Sequence, residues 1–141
     1  MRLFVYGTLL QGCTNHHLIF GSRYLGPAET KEQFVMVTQK SRSYPYIFRK
    51  ADCLTSHVQG EMYEITGEMY RRLDVLEGHP DHYRRQQITA IDRKGQEYEC
   101  FAYVVDNTKM IAEIMEGLGT RYVFVRHGDW TECKHATVSK E

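Results

Sequence analysis

The residue best placed to do chemistry in this chain is a glutamate set inside an apolar helical stripe. It stands in the run Leu73-Asp74-Val75-Leu76-Glu77-Gly78-His79-Pro80. A helix that begins near Thr66 and stops at Gly78 advances about 100° per residue. On that wheel Leu76, Met69, Leu73, Glu77 and Tyr70 fall within an arc of roughly 120°, while Asp74 lies just outside it. Arg71, Arg72 and Val75 occupy the other faces. If the helix buries its apolar face, Glu77 goes with it. Burial and the partial negative charge at a helix C-terminus both raise a carboxyl pKa. A carboxyl that holds or releases a proton near neutral pH suits general acid–base catalysis. The competing reading is structural: Glu77 is half of a buried ion pair with Arg84 or Arg85, and its removal costs about 3–5 kcal/mol.

A second candidate lies at the start of the chain. The apolar run Leu3-Phe4-Val5-Tyr6 leads into the glycine-bearing turn Tyr6-Gly7-Thr8-Leu9-Leu10-Gln11-Gly12. Glycine lets the backbone bend and lets a ligand approach main-chain N–H groups, although an ordinary tight turn has the same appearance. Gly7 to Thr14 echoes a nucleotide-binding loop, but Cys13 takes the place of its phosphate-binding lysine. Tyr6, Tyr83 and Tyr103 lie on strand segments that can converge on one pocket.

Other constellations are weaker. His79 and His82 flank Pro80, which prevents regular helical presentation of a metal pair, so they read as surface loop histidines and no metal site is expected. His16 and His17 are adjacent and point apart on a helix. No Gly-x-Ser-x-Gly elbow is present.

The elements that must position these groups are mostly strands. Short apolar or alternating runs occur at Leu3–Tyr6, Tyr24–Leu25, Gln33–Val37, Val58–Ile65, Arg84–Ile91 and Glu97–Val105. Gly26-Pro27 separates the second run from the third, and Arg93-Lys94-Gly95-Gln96 reads as a hairpin turn between the last two. Lys40 to Ser56 reads as irregular. Thr14 is placed to cap a brief helix through Phe20, and Ile111, Ile114, Met115 and Leu118 mark a helix over Met110–Leu118 whose stripe is core packing. Gly128-Asp129-Trp130 reads as a capped edge, and the polar tail after about residue 131 as frayed. Many strands with two or three short helices imply an α+β domain around a curled or barrel-like sheet.

Bulk properties bound the rest. A chain of 141 residues is the size of a single domain, 1–141. Its 18 basic and 18 acidic residues cancel, which argues against nucleic acid as the main partner. Mean hydropathy is −0.51 and no apolar run approaches the roughly 18 residues of a membrane span, so no membrane partner is expected. The apolar stretch Leu3–Leu10 before Cys13 is short and broken by Gly7 and Thr8, unlike a secretory leader. Four scattered cysteines, Cys13, Cys53, Cys100 and Cys133, without a Cys-x-x-Cys pair read as reduced thiols in a cytoplasmic protein.

Taken together, several motifs resemble the gamma-glutamyl cyclotransferase-like family. They are Val5-Tyr6-Gly7-Thr8-Leu9, Asn15-His16, Tyr44-Pro45, Gly60-Glu61-Met62-Tyr63, and Leu73-Asp74 with Glu77, Pro80, Tyr83 and Arg85. Their order spans roughly residues 2 to 105, and the functional branch most resembled is that of the gamma-glutamylamine cyclotransferases. The resemblance implies a small mixed-sheet β-barrel with helices outside it, and a pocket at the barrel end. It implies that Tyr6, Gly7, Thr8 and Leu9 hold a small gamma-glutamyl substrate, with Tyr83 and Tyr103 on the same pocket, while catalytic Glu77 reaches in. It also implies release of 5-oxoproline without metal or cofactor. Two other functions fit the residues: a non-catalytic module binding small amino-acid derivatives or a protein, and a hydrolase in which Glu77 activates water.

Overall fold

The computed structural model describes residues 1–41 and 43–130. Seven strands and two α-helices appear in the order β1 (Arg2–Val5), β2 (Arg23–Gln39), β3 (Pro45–Phe48), β4 (Ser56–Glu64), α1 (Gly67–Glu77), β5 (Arg84–Asp92), β6 (Glu97–Val104), α2 (Thr108–Glu116) and β7 (Tyr122–Phe124). Short 3-10 turns occupy His16–Ile19 and Arg126–Gly128. Five strands close a mixed barrel in the order β2-β4-β1-β6-β5, with β5 returning to β2. The β1–β6 pair is parallel, through Leu3 opposite Phe101, and the other pairs are antiparallel. The α+β barrel expected from the sequence is the fold observed.

Closure depends on β2. This 17-residue strand pairs with β4, with β5 through Ala28–Thr30, and with β3 and β7 through Val35–Gln39. Its register against β4 shifts between Tyr24 and Gly26 and again between Glu29 and Gln33. Gly26 sits at φ 117°, a conformation that favours glycine. Such bulges bend a strand and increase its twist, which lets one strand serve two neighbours of a barrel. Gly26-Pro27 is therefore a bulge within one strand and not a break between two, which corrects the sequence expectation. The supposedly irregular Lys40–Ser56 segment contains β3, whose four residues are all buried against β2. β7, unanticipated, is only three residues long. Neither has enough residues to show a period.

Local signals were better guides to the helices. The Thr66 side chain accepts the Met69 N–H at 3.2 Å, and Gly78 ends α1 at φ 68°. α1 buries Tyr70 and Leu73 against the barrel. α2 begins two residues before the expected helix, because Asn107 caps it by accepting the Met110 N–H. Asp92 accepts the N–H groups of Lys94 and Gln96 and so closes the β5–β6 hairpin. Gly128 lies against the His57 backbone and Trp130 is buried, so this segment covers the sheet. The tail after residue 131 lies outside the described residues.

The thiols need one correction. Cys13 is disulfide-bonded, while Cys53 and Cys100 are free; Cys133 lies outside the described residues. Spacing along the chain did not reveal what folding brings beside Cys13, and the argument for a reducing compartment loses that support. Among the described residues no helix is long and apolar enough to cross a membrane.

The β1–β4 seam tolerates no side chain at Gly60. A Cβ there would stand 2.1 Å from the Val5 carbonyl oxygen and 2.6 Å from Phe4 Cζ. Gly60→Ala should lower unfolding stability by about 1–3 kcal/mol or more, because the seam must open to admit a methyl group. Urea denaturation of the two proteins measures it.

Candidate active site

A cavity of about 250 Å³ opens at the end of the barrel where β1 stops. Its wall includes all seven residues singled out in the sequence: Tyr6, Gly7, Thr8, Leu9, Glu77, Tyr83 and Tyr103. Three elements deliver them. The turn after β1 supplies the first four, the last turn of α1 supplies Glu77, and the two tyrosines flank β5 and end β6.

The turn is braced from several directions. Leu10 N–H donates to the Gly7 carbonyl at 3.0 Å, and Asn15 N–H to the Thr8 carbonyl at 2.8 Å. Asn15 Nδ2 also donates to Thr8 Oγ1 at 3.0 Å. His16 Nδ1 lies 2.9 Å from the Leu9 carbonyl, which fixes the Nδ1–H tautomer because a carbonyl only accepts. At the far end Gln11 N–H donates to the buried Glu61 carboxylate at 3.0 Å. Gly7 is required for space: a Cβ there would meet the Pro45 ring at 2.9 Å. The N–H groups of Gly7, Thr8 and Leu9 donate to no acceptor among the described residues. A cluster of free N–H groups in a turn is suited to an anionic or oxyanionic group.

Glu77 has neither a hydrogen-bond donor nor a cation on its carboxylate among the described residues. Arg84 pairs with Asp106 at 3.3 Å and Arg85 with Asp74 at 3.4 Å, so the buried ion pair considered from the sequence does not form. Burial in the recess pushes the Glu77 carboxyl up to about 7. The orientation of α1 differs from the wheel expectation. Leu76 is 45% exposed at the cavity rim, whereas Asp74 is turned inward. The buried face runs through Tyr70, Leu73, Asp74 and Glu77, because Tyr103 and Arg85 give Asp74 polar partners there.

The tyrosines are tied down by their hydroxyls. Tyr6 donates to the Tyr103 carbonyl and Tyr83 to the Pro45 carbonyl at 2.7 Å. Burial, with the negative charge of Glu77 added, holds both phenols well above the usual tyrosine range. His82 is not the surface residue that its place in the sequence suggests. It lines the cavity with its ring 4.9 Å from that of Tyr83, and burial lowers its pKa. His79 is likewise half-buried and accepts the Arg85 N–H. Asn15, Tyr44 and Pro45 also line the cavity. Their signal in the sequence was the motif resemblance alone, since nothing in their spacing marks a site. No group of three metal-ligating side chains occurs among the described residues.

The family described as "Gamma-glutamyl cyclotransferase, AIG2-like" matches residues 3–132. The chain belongs to that family. A Methanocaldococcus jannaschii relative, provisionally named a gamma-glutamylcyclotransferase, is 37% identical over 72% of this chain and 81% of its own. The rat gamma-glutamylaminecyclotransferase is 31% identical over 72% of this chain and 76% of its own. Among solved structures, the mouse AIG2-like protein superimposes with a TM-score of 0.65 at 29% identity, covering 74% of this chain and 76% of that one. An uncharacterised Pyrococcus horikoshii protein shares the fold over 99% of this chain and 97% of its own, with a TM-score of 0.67 at 21% identity.

The lone carboxyl has a consequence for stability. Its folded-state pKa of about 7 exceeds the ordinary 4.5, so the native state binds this proton more tightly than the unfolded chain does. Stability attributable to Glu77 is therefore lost as pH rises from about 4.5 through 7. Relative to its level at pH 4, Glu77→Gln should gain on the order of 2–3 kcal/mol over wild type by pH 8. Urea unfolding at the two pH values checks this. A variant that loses ground at pH 8 would mean a cation compensates the carboxylate.

Proposed function

We propose that this protein is a gamma-glutamylamine cyclotransferase, releasing 5-oxoproline and a free amine, with Glu77 as general acid and base. The observation that carries the reading is the unpaired carboxyl with a pKa near 7, in a cavity bordered by free main-chain N–H groups. Family membership and relatives named for this chemistry support it.

The substrate brings its own nucleophile. Its α-amino group, with a pKa near 8, is mostly protonated at neutral pH and must lose a proton before it can attack. Glu77 accepts that proton. The α-nitrogen then bonds to the γ-carbonyl carbon, and the carbonyl oxygen takes up negative charge beside the N–H groups of Gly7, Thr8 and Leu9. Collapse of this intermediate breaks the bond to the departing nitrogen, which receives the proton held by Glu77; the ring nitrogen then gives its second proton to Glu77, which passes it to the freed amine. Of the three protons on the starting ammonium, one remains on the lactam nitrogen and two end on the released amine. Tyr6, Tyr83 and Tyr103 shape the wall that folds the glutamyl chain back on itself, so that amine and carbonyl meet.

Incubation with a panel of γ-glutamyl amines and peptides, followed by mass spectrometry, tests the reading. 5-Oxoproline is the expected product; free glutamate would instead indicate water activation, and binding without turnover a non-catalytic module. Glu77→Gln should lower kcat by about 10²- to 10⁴-fold with the fold retained. Thr8→Ala should have a milder effect, since the role assigned to Thr8 is mainly that of its main chain. Activity in wild type should fall as pH drops below about 7, because a protonated Glu77 cannot take the α-ammonium proton.

A further inference from the structure

Three of the tyrosines that line the cavity with Glu77 give their hydroxyl protons to other acceptors. Tyr6 donates to the Tyr103 carbonyl, Tyr83 to the Pro45 carbonyl, and Tyr103 to Asp74 Oδ1 at 2.6 Å. All three share the cavity wall with Glu77, whose charge adds to burial in raising the pKa of each phenol. A carboxylate ringed by tyrosines would ordinarily collect hydrogen bonds from them. This one collects none among the described residues, because the protons face elsewhere.

Two of the three competing acceptors are main-chain carbonyls. The third, Asp74, is a side chain that does not itself line the cavity. It lies three residues before Glu77 in α1 and therefore close to the same helical face. Arg85 holds it from the other side, with Nε at 3.4 Å from Asp74 Oδ1. Arg85 is itself held in place: it stands opposite Tyr103 in the β5–β6 pair, and its guanidinium lies 4.7 Å from the Tyr70 ring and 5.3 Å from the Phe101 ring.

We infer that Asp74 is a positioning residue: by accepting the Tyr103 proton it prevents that hydroxyl from donating to Glu77, and it leaves the Tyr103 oxygen as an acceptor at the cavity. The titratable groups that line the cavity with Glu77 are Tyr6 after β1, Tyr44 before β3, His82 and Tyr83 before β5, and Tyr103 in β6. Of these, Tyr103 alone is held off by a side-chain acceptor that a substitution can remove. Its importance for catalysis rests on the acid–base role proposed for Glu77. An arriving α-ammonium then meets the Tyr103 oxygen as an acceptor, and not a Tyr103 proton competing for the carboxylate.

Carbon-detected NMR titration of the Glu77 carboxyl tests this without turnover, in wild type, Asp74→Ala, Asp74→Asn, Tyr103→Phe and the double variant Asp74→Ala/Tyr103→Phe. In Asp74→Ala the freed Tyr103 hydroxyl turns to the carboxylate and favours its charged form, so the midpoint should fall by about one pH unit. Asp74→Asn keeps an acceptor oxygen and should retain the wild-type midpoint, as should Tyr103→Phe and the double variant. A midpoint unchanged in Asp74→Ala overturns the inference. So does a fall that persists in the double variant, which would trace it to lost charge or loosened packing. Tyr103→Phe decides independently if Asp74→Ala fails to fold: a raised midpoint there would mean Tyr103 already donates to Glu77 in wild type. Because the midpoint is read without substrate, a protein that releases no 5-oxoproline could still pass, and an active one could still fail.

Discussion

An ionisable group held in a recess without a counter-charge sets the terms for everything around it. Glu77 lies in such a recess, and burial raises its pKa to about 7. A guanidinium within reach would pull the carboxyl back into the ordinary acid range. The nearby arginines are instead engaged elsewhere, Arg84 by Asp106 and Arg85 by Asp74. Their ion pairs are as important for what they prevent as for what they hold together.

The scaffold supports that placement through contacts distant from the carboxyl. α1 is fixed at its start by the Thr66 cap and at its end by the left-handed Gly78, and Tyr70 anchors its middle by donating to the Arg2 carbonyl at 2.8 Å. The facing turn is pinned by Asn15, His16 and Glu61. The turn and the carboxyl that face each other across the cavity thus belong to separate elements that share the β1 strand as a common support. Loop-borne donors positioned by a rigid sheet and a helix-borne acid are a division of labour that many catalytic sites use.

Much of this was legible in the sequence wherever a local signal dictated local structure. Thr66 and Gly78 mark the limits of α1, Arg93–Gln96 marks the hairpin, and a carboxylate in an apolar stripe marks Glu77. What was not legible depends on pairing across the fold. Gly26-Pro27 reads as a break, and only closure against β4 and β5 makes it a bulge. The orientation of α1 is decided by Tyr103 and Arg85, which draw Asp74 inward and leave Leu76 at the rim. His82 looks like a loop residue until the turn after α1 folds it against Tyr83. The disulfide at Cys13 follows from no spacing rule at all.

The parallel pairing of β1 with β6 joins Leu3 to Phe101 across nearly a hundred residues of intervening chain. During synthesis the first strand therefore leaves the ribosome long before its neighbour exists, and it can pair at first only with β4. Its apolar face and the turn that follows wait, unshielded, until the hairpin of β5 and β6 arrives. Loop-closure entropy of this size slows such a topology, and the exposed interval is when a nascent chain is open to aggregation or chaperone capture. The β5–β6 hairpin thus decides when the first residues acquire their final surroundings.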